Sequence, residues 1–205
     1  MSDCKKLFII GAGGHGRVCA DAAKLCGYEV FFLDDNAKGS SGGYEVLGKI
    51  ENFRKYISEG EFFVAIGNSE VRRKISMELD EGGAKLVSII HPFTSIGSNV
   101  SIGKGVVIMA GAVINSGTVI ENGVIINTCA SVDHDCRIGE YSHIAVGAHV
   151  CGAVNIGKNV WLGAGSTVIN VIDICDDCFI GAGAVVVKNI DAPGKYIGVP
   201  AKIKN

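Results

Sequence analysis

The chain has 205 residues, 48% of them hydrophobic, with 19 Lys and Arg against 21 Asp and Glu. A formal net charge of −2 argues against nucleic acid as the main partner. No apolar run approaches the roughly 20 residues of a membrane span, and Leu7–Ile10 is too short for a secretory signal, so a cytoplasmic protein is expected.

The first ninety residues read as alternating strands and helices. Lys6–Ile10 is a buried strand that runs into Gly11-Ala-Gly-Gly-His-Gly16. Helical character follows from Arg17 to Cys26, then a second strand over Glu29–Asp35. A third strand over Glu61–Ile66 ends in Gly67-Asn68. Ser69 to Glu81 reads as a helix capped by Ser69, and Lys85–Ile90 as a fourth strand. This alternation implies a small parallel sheet with βαβ crossovers. His91-Pro92 marks the hand-over, because proline restricts the residue before it. The expected division is residues 1–91 as a Rossmann-like domain and 92–205 as a second domain.

Gly11, Gly13 and Gly16 match G-x-G-x-x-G, with acidic Asp34 and Asp35 after the second strand. A glycine turn at a helix N-terminus can hold phosphate, and the acids can hold a ribose or a base. A dinucleotide site needs two such halves, and ninety residues supply about one. A nucleotide-linked ligand is therefore expected ahead of NAD. An NAD-binding enzyme or sensor, with the rest of the chain as a scaffold, remains the alternative of another class.

From Ile96 to Val186 an aliphatic residue recurs every six positions. A helix would repeat near 3.6 and a strand at two. A sustained period of six belongs to a parallel β-helix with stacked coils. Four residues after each aliphatic stands a small or β-branched residue, such as Ala112, Thr118, Cys136 or Ser142. Residues two apart in an extended segment share a face, so Cys136 and Ile138 point inward while Arg137 points out. The remaining three residues turn a corner, and the last of them is usually Gly or Asn, from Asn99 to Asn189. Three hexads make one triangular coil, giving about five coils.

Eight cysteines are read as reduced thiols. Cys175-Asp-Asp-Cys178 has half-zinc-site spacing, but the repeat puts Cys175 outside and Cys178 inside, so no metal site is expected.

His134 stands in the middle of a corner, in Val132-Asp-His-Asp-Cys136, and Asp135 holds the slot usual for Gly or Asn. Both side chains can face out together. A histidine beside a carboxylate can act as a general base, the carboxylate fixing its tautomer. His143 is an outward residue of a strand, on a flat face rather than the corner of His134. The two would converge only across packed rods, as in a threefold assembly. His149 reads as surface or interface, and His91 as structural.

The chain resembles the bacterial nucleotide-sugar N-acetyltransferases with a left-handed β-helix, of the sialic-acid O-acetyltransferase and UDP-N-acetylbacillosamine pathway type. The segments that carry the resemblance are Gly11–Gly16, Phe32-Leu-Asp-Asp35, Ala65-Ile-Gly-Asn68, Asn127-Thr128, His134-Asp135 to Glu140, Ser142-His143 and Gly198–Lys202. It implies a homotrimer with acetyl-CoA between neighbouring rods and no metal. It implies a sugar nucleotide held by Gly13, Gly14, His15, Asp34, Asp35 and Gly67. His134 would be the base, assisted by Asp135. His143 would meet acetyl-CoA near its thioester, Ala164 and Ala182 would line the pantetheine path, and Asn127 would position the acetyl group. The family pattern has glutamate where this chain has Asp135, and glycine where it has Ala182. The implied reaction is acetyl transfer to a UDP-linked 4-amino sugar. A GDP-linked amino sugar and a sialic-acid hydroxyl are the alternative acceptors, and a purely structural rod is the reading without catalysis.

Overall fold

The computed structural model describes residues 4–204, and the chain divides into two compact units between Pro92 and Phe93. The first unit contains β1 (Lys6–Ile10), α1 (Gly14–Leu25), β2 (Glu29–Leu33), β3 (Gly39–Ser41), β4 (Tyr44–Gly48), β5 (Gly60–Val64) and α2 (Ser69–Glu81). The sheet order is β3-β4-β2-β1-β5. β1, β2, β4 and β5 run parallel, and β3 folds back antiparallel on β4. β1 has neighbours on both sides and buries Leu7 to Ile10 on both faces, as an uninterrupted apolar run should. Phe8, Ile10, Leu33, Phe53, Phe62, Val64 and Leu79 share one core.

Three local readings change. The hairpin Gly39–Gly48 lies where no strand was expected, since Gly39–Ser41 has no apolar side chain and Tyr44–Gly48 buries only Val46. The cap of α2 is Asn68, whose side chain accepts the Val71 N–H, and not Ser69. The expected fourth strand survives as Ile89–Ile90 and a single bridge from Leu86 to Phe62. Leu86, Val87 and Ser88 are only half-buried, so neither face has enough apolar cover to extend the pairing.

The second unit is a left-handed parallel β-helix. Its strands are mostly two residues long, and up to the last coil each pairs with the strand 18 residues on, as Ile114 with Val132 and Val132 with Val150. Three parallel sheets result. One runs from Ser95–Ile96 to Val185–Val186, the second from Ser101–Ile102 to Asp173–Ile174. The third runs through Val107–Ile108, Ile125–Ile126, His143–Ile144, Trp161–Leu162 and Cys178–Ile180 to Gly194–Ile197, with Lys202–Ile203 antiparallel at its end. The aliphatic of each strand and the small residue two before it form the core. Ile96 and Ile102, in the first coil, keep partial exposure.

Every sixth residue from Asn99 to Gly183 has positive φ. The rule outruns the composition: Cys129, Tyr141, Ala153, Val171 and Asp177 adopt it without being Gly or Asn. Stacking fixes the corner, and a strained side chain is tolerated where coils on both sides hold it. Asn189 does not join this series, because after Val186 the chain leaves the regular path with only an Ile174–Ile190 bridge. Cys175 and Cys178 do converge, their Sγ atoms 3.5 Å apart. Cys175 is half-buried rather than fully outward, which the repeat alone did not convey. Burial and the neighbouring thiol push Cys178 up to about 12.

Candidate active site

In the first unit the carboxyl ends of β2, β1 and β5 lie side by side, and the sheet winds away from β1 in both directions. That is where open α/β sheets take ligands. Gly16 is required by the chain itself: a Cβ there would lie 1.9 Å from the Gly11 carbonyl oxygen. Gly13, Gly14 and Gly67 have no such reason, since a Cβ on any of them would meet nothing within 4 Å. They leave open backbone beside the N-terminus of α1, which has no side-chain cap and no acid in its first turn. Such an end attracts phosphate.

Asp34 is committed inward. Its Oδ2 accepts the Ala12 N–H at 2.8 Å, and Oδ1 accepts those of Asn36 and Ala37. Burial opposes its charge, but the three N–H donors win and hold its carboxyl below the usual range. Asp34 thus ties the glycine loop to the loop after β2. Asp35, exposed, accepts the Ile50 N–H and keeps its other oxygen for further bonds. His15 lies at the start of α1, its Nε2 3.6 Å from the Cys19 thiol. Burial and the Arg72 guanidinium push it down to about 4, so it is neutral at physiological pH. Arg72 escaped the sequence reading. It is buried on α2 and donates to the carbonyls of Ile66 and Gly67 at 2.8 and 2.9 Å. The signal was present: Arg72, Ser76 and Leu79 share the buried face at helical spacing.

In the second unit His134 and Asp135 share one corner. Asp135, at φ 57°, brings its Oδ2 to 2.8 Å from His134 Nδ1. The carboxylate can only accept, so Nδ1 carries the proton and Nε2 presents a lone pair. The Asp135 bond, and then the Asp133 charge, raise His134 above the ordinary histidine value. Asp133 accepts the His134 N–H and the Asn115 side-chain amide, which hold it below its usual value. Thr118, buried beneath the corner, donates to the Asp133 carbonyl at 2.7 Å and accepts the Cys136 N–H at 3.3 Å. It pins the turn from inside.

His143 stands on the third sheet and is only 7% exposed. Asn127 Oδ1 accepts the Thr128 N–H, which turns Nδ2 toward His143 Nε2 at 3.0 Å. Nε2 is then the acceptor, and the ring proton sits on Nδ1. Trp161 packs edge-on against the ring at 4.3 Å between centroids, and Phe179 stacks on Trp161. Asn127, Ala164 and Ala182 stand on the corner that follows the third sheet, where both alanines are exposed. His134 stands on the corner that follows the first sheet. Within one chain, therefore, the structure joins His134 to Asp135 and Asn127 to His143, but does not bring the two pairs together. Among the described residues no cluster of His, Cys, Asp and Glu could hold a metal ion, and no helix is long and apolar enough to cross a membrane.

A family model described as the PglD N-terminal domain matches residues 6–79. One described as the hexapeptide repeat of succinyl-transferase matches 93–128 and 153–188. The stretch between these last two, 129–152, holds His134, Asp135 and His143. The chain is similar to a GDP-perosamine N-acetyltransferase of Escherichia coli O157:H7, with 32% identity over 167 residues, 75% of this chain and 73% of the relative. It is similar to a UDP-N-acetylbacillosamine N-acetyltransferase of Bacillus subtilis (strain 168), with 34% identity over 94 residues, 43% of this chain and 44% of the relative. Among solved structures, PerB from Caulobacter crescentus in complex with CoA and GDP-perosamine has a TM-score of 0.94 at 37% identity, covering 98% of this chain and 97% of that one.

Proposed function

This chain belongs to the bacterial hexapeptide-repeat nucleotide-sugar N-acetyltransferases, and from that premise we propose that it acetylates the amine of a GDP-linked amino sugar of the perosamine type, using acetyl-CoA. The GDP-linked acceptor, an alternative in the sequence reading, is preferred here to the UDP-linked one. The likeness to the GDP-perosamine enzymes spans most of the chain, whereas the likeness to the UDP-sugar enzyme spans less than half. The observation that carries the chemistry is the His134–Asp135 pair, which leaves Nε2 as the acceptor nitrogen of an exposed side chain.

The sugar amine attacks the thioester carbonyl and the carbon–sulfur bond breaks. His134 Nε2 takes the amine proton as the new bond forms, and returns it to the departing thiolate. Asp135 holds the tautomer and stabilises the imidazolium. Gly13, Gly14, His15, Asp35 and Gly67 receive the nucleotide sugar, and Asp34 shapes their loop. The small exposed Ala164 and Ala182 give the pantetheine arm a corner to follow. His143, covered by Trp161 and tied to Asn127, supports this edge from beneath. The separation of the His134 corner from the Asn127 and Ala182 corner favours a site shared between copies of a homotrimer.

The test offers acetyl-CoA with GDP- and UDP-linked 4-amino sugars and follows free thiol. The GDP sugar should show the higher kcat/KM, and His134→Ala should lower turnover roughly 10²–10⁴-fold. Preference for the UDP sugar would overturn the acceptor assignment, and near-normal turnover in His134→Ala would overturn the base.

A further inference from the structure

We propose that Gly152 is a positioning residue for this reaction: by lacking a side chain it forms the seat on which the His134 ring lies while Nδ1 faces Asp135. The inference rests on the reading of His134 as the base. A Cβ at position 152 would lie 2.6 Å from Nε2 and 2.8 Å from Cε1 of His134. Carbon contacts are favourable near 3.5–4.0 Å, so ring and Cβ cannot share that space.

The backbone does not account for this glycine, since Gly152 is absent from the positive-φ residues. Nor does the repeat. Gly152 occupies the position just before the left-handed corner residue. Stepping by six from Ser98 to Ala182 along these positions, 152 is the one glycine. The other way a side chain leans at these corners is also different. Cys129, Asp135 and Tyr141 lean back over Gly111, Gly117 and Gly123 of the preceding coil. His134 leans forward, over the following coil, where only a missing Cβ makes room.

The charged neighbours of the ring are few. Asp133 and Asp135 flank it on its own turn. At this corner the preceding coil offers Asn115, Ser116 and Gly117, and the following coil Cys151, Gly152 and Ala153, of which only Cys151 can titrate. A displaced ring therefore loses the Asp135 bond, the largest of the causes that raise it, and the neighbouring coils offer no carboxylate in its place.

The test is Gly152→Ala in the full-length protein. The group that must move is the exposed end of a side chain, so the fold should persist. Turnover should fall roughly 10–100-fold, the scale set by a misplaced catalytic group. The acid limb of the pH–rate profile should move to lower pH, and so should the His134 titration followed by NMR in the ligand-free protein. In an Asp135→Asn background the same change should cost much less than it does alone. An unchanged His134 titration would overturn the seat, as would an unfolded variant, which would make Gly152 a requirement of the fold. A lowered titration with normal turnover would leave the seat standing and overturn His134 as the base.

Discussion

At His134 the demand of the proposed base role is met by one adjacent residue. Asp135 can reach back to Nδ1 because its own backbone is left-handed, a conformation that Asp adopts more readily than most residues. The pair was legible in the sequence for this reason: an acid stands in a Gly or Asn slot beside a histidine. The residues that brace the two candidate sites were less legible. Arg72 and Thr118 act from positions that sequence assigns to core faces, and only contacts show that their polar atoms hold loops in place. The pair sets a pH dependence. As the proposed base His134 must be unprotonated to act, and its pKa is raised, first by the Asp135 bond and then by Asp133. The acid limb of kcat/KM should thus lie above the ordinary histidine range. Asp135→Asn removes the largest cause, so the limb should move to lower pH while the plateau falls. A pH profile of the two proteins decides this, and a limb that stays in place would remove Asp135 from the role.

Among elements, the corner of Asp133–Asp135 depends on the coil before it. Thr118 is fully buried and bridges a carbonyl and an N–H of that corner. Thr118→Val keeps the shape but leaves the Asp133 carbonyl and the Cys136 N–H without that hydroxyl. A loss of about 1–3 kcal/mol is expected by denaturant titration. A loss within error of zero would mean the corner is held from outside. The coils themselves were readable because each inward position has one requirement, to be aliphatic or small, and that requirement repeats every six residues. The departures share a cause. Tyr141 and Val171 accept positive φ, and Cys175 approaches Cys178, because neighbouring coils decide what a local sequence resists. In the first unit the hairpin Gly39–Gly48 was missed because Gly39–Ser41 has no apolar side chain and Tyr44–Gly48 buries only Val46, too little to set a pattern.

For the molecule as a whole, the proposed trimer makes a quantitative claim. Suppose the base comes from one copy and the Ala182 edge from the next. His134→Ala subunits and Ala182→Trp subunits, each inactive alone, should then complement when reassembled together. With random mixing, about a quarter of the boundaries carry neither change, so about a quarter of the unaltered protein's activity should return. Light scattering establishes the trimer first. No recovery in verified mixed trimers would place each site within one chain. A last consequence comes from the pairing of successive strands 18 residues apart along the coils. Length in the second unit is quantised. Removing one residue turns each later inward side chain outward, because neighbouring positions face opposite ways. Removing 18 deletes a whole layer and leaves every remaining column aligned. The chain between Ile96 and Val186 can therefore grow or shrink by coils, but not by residues.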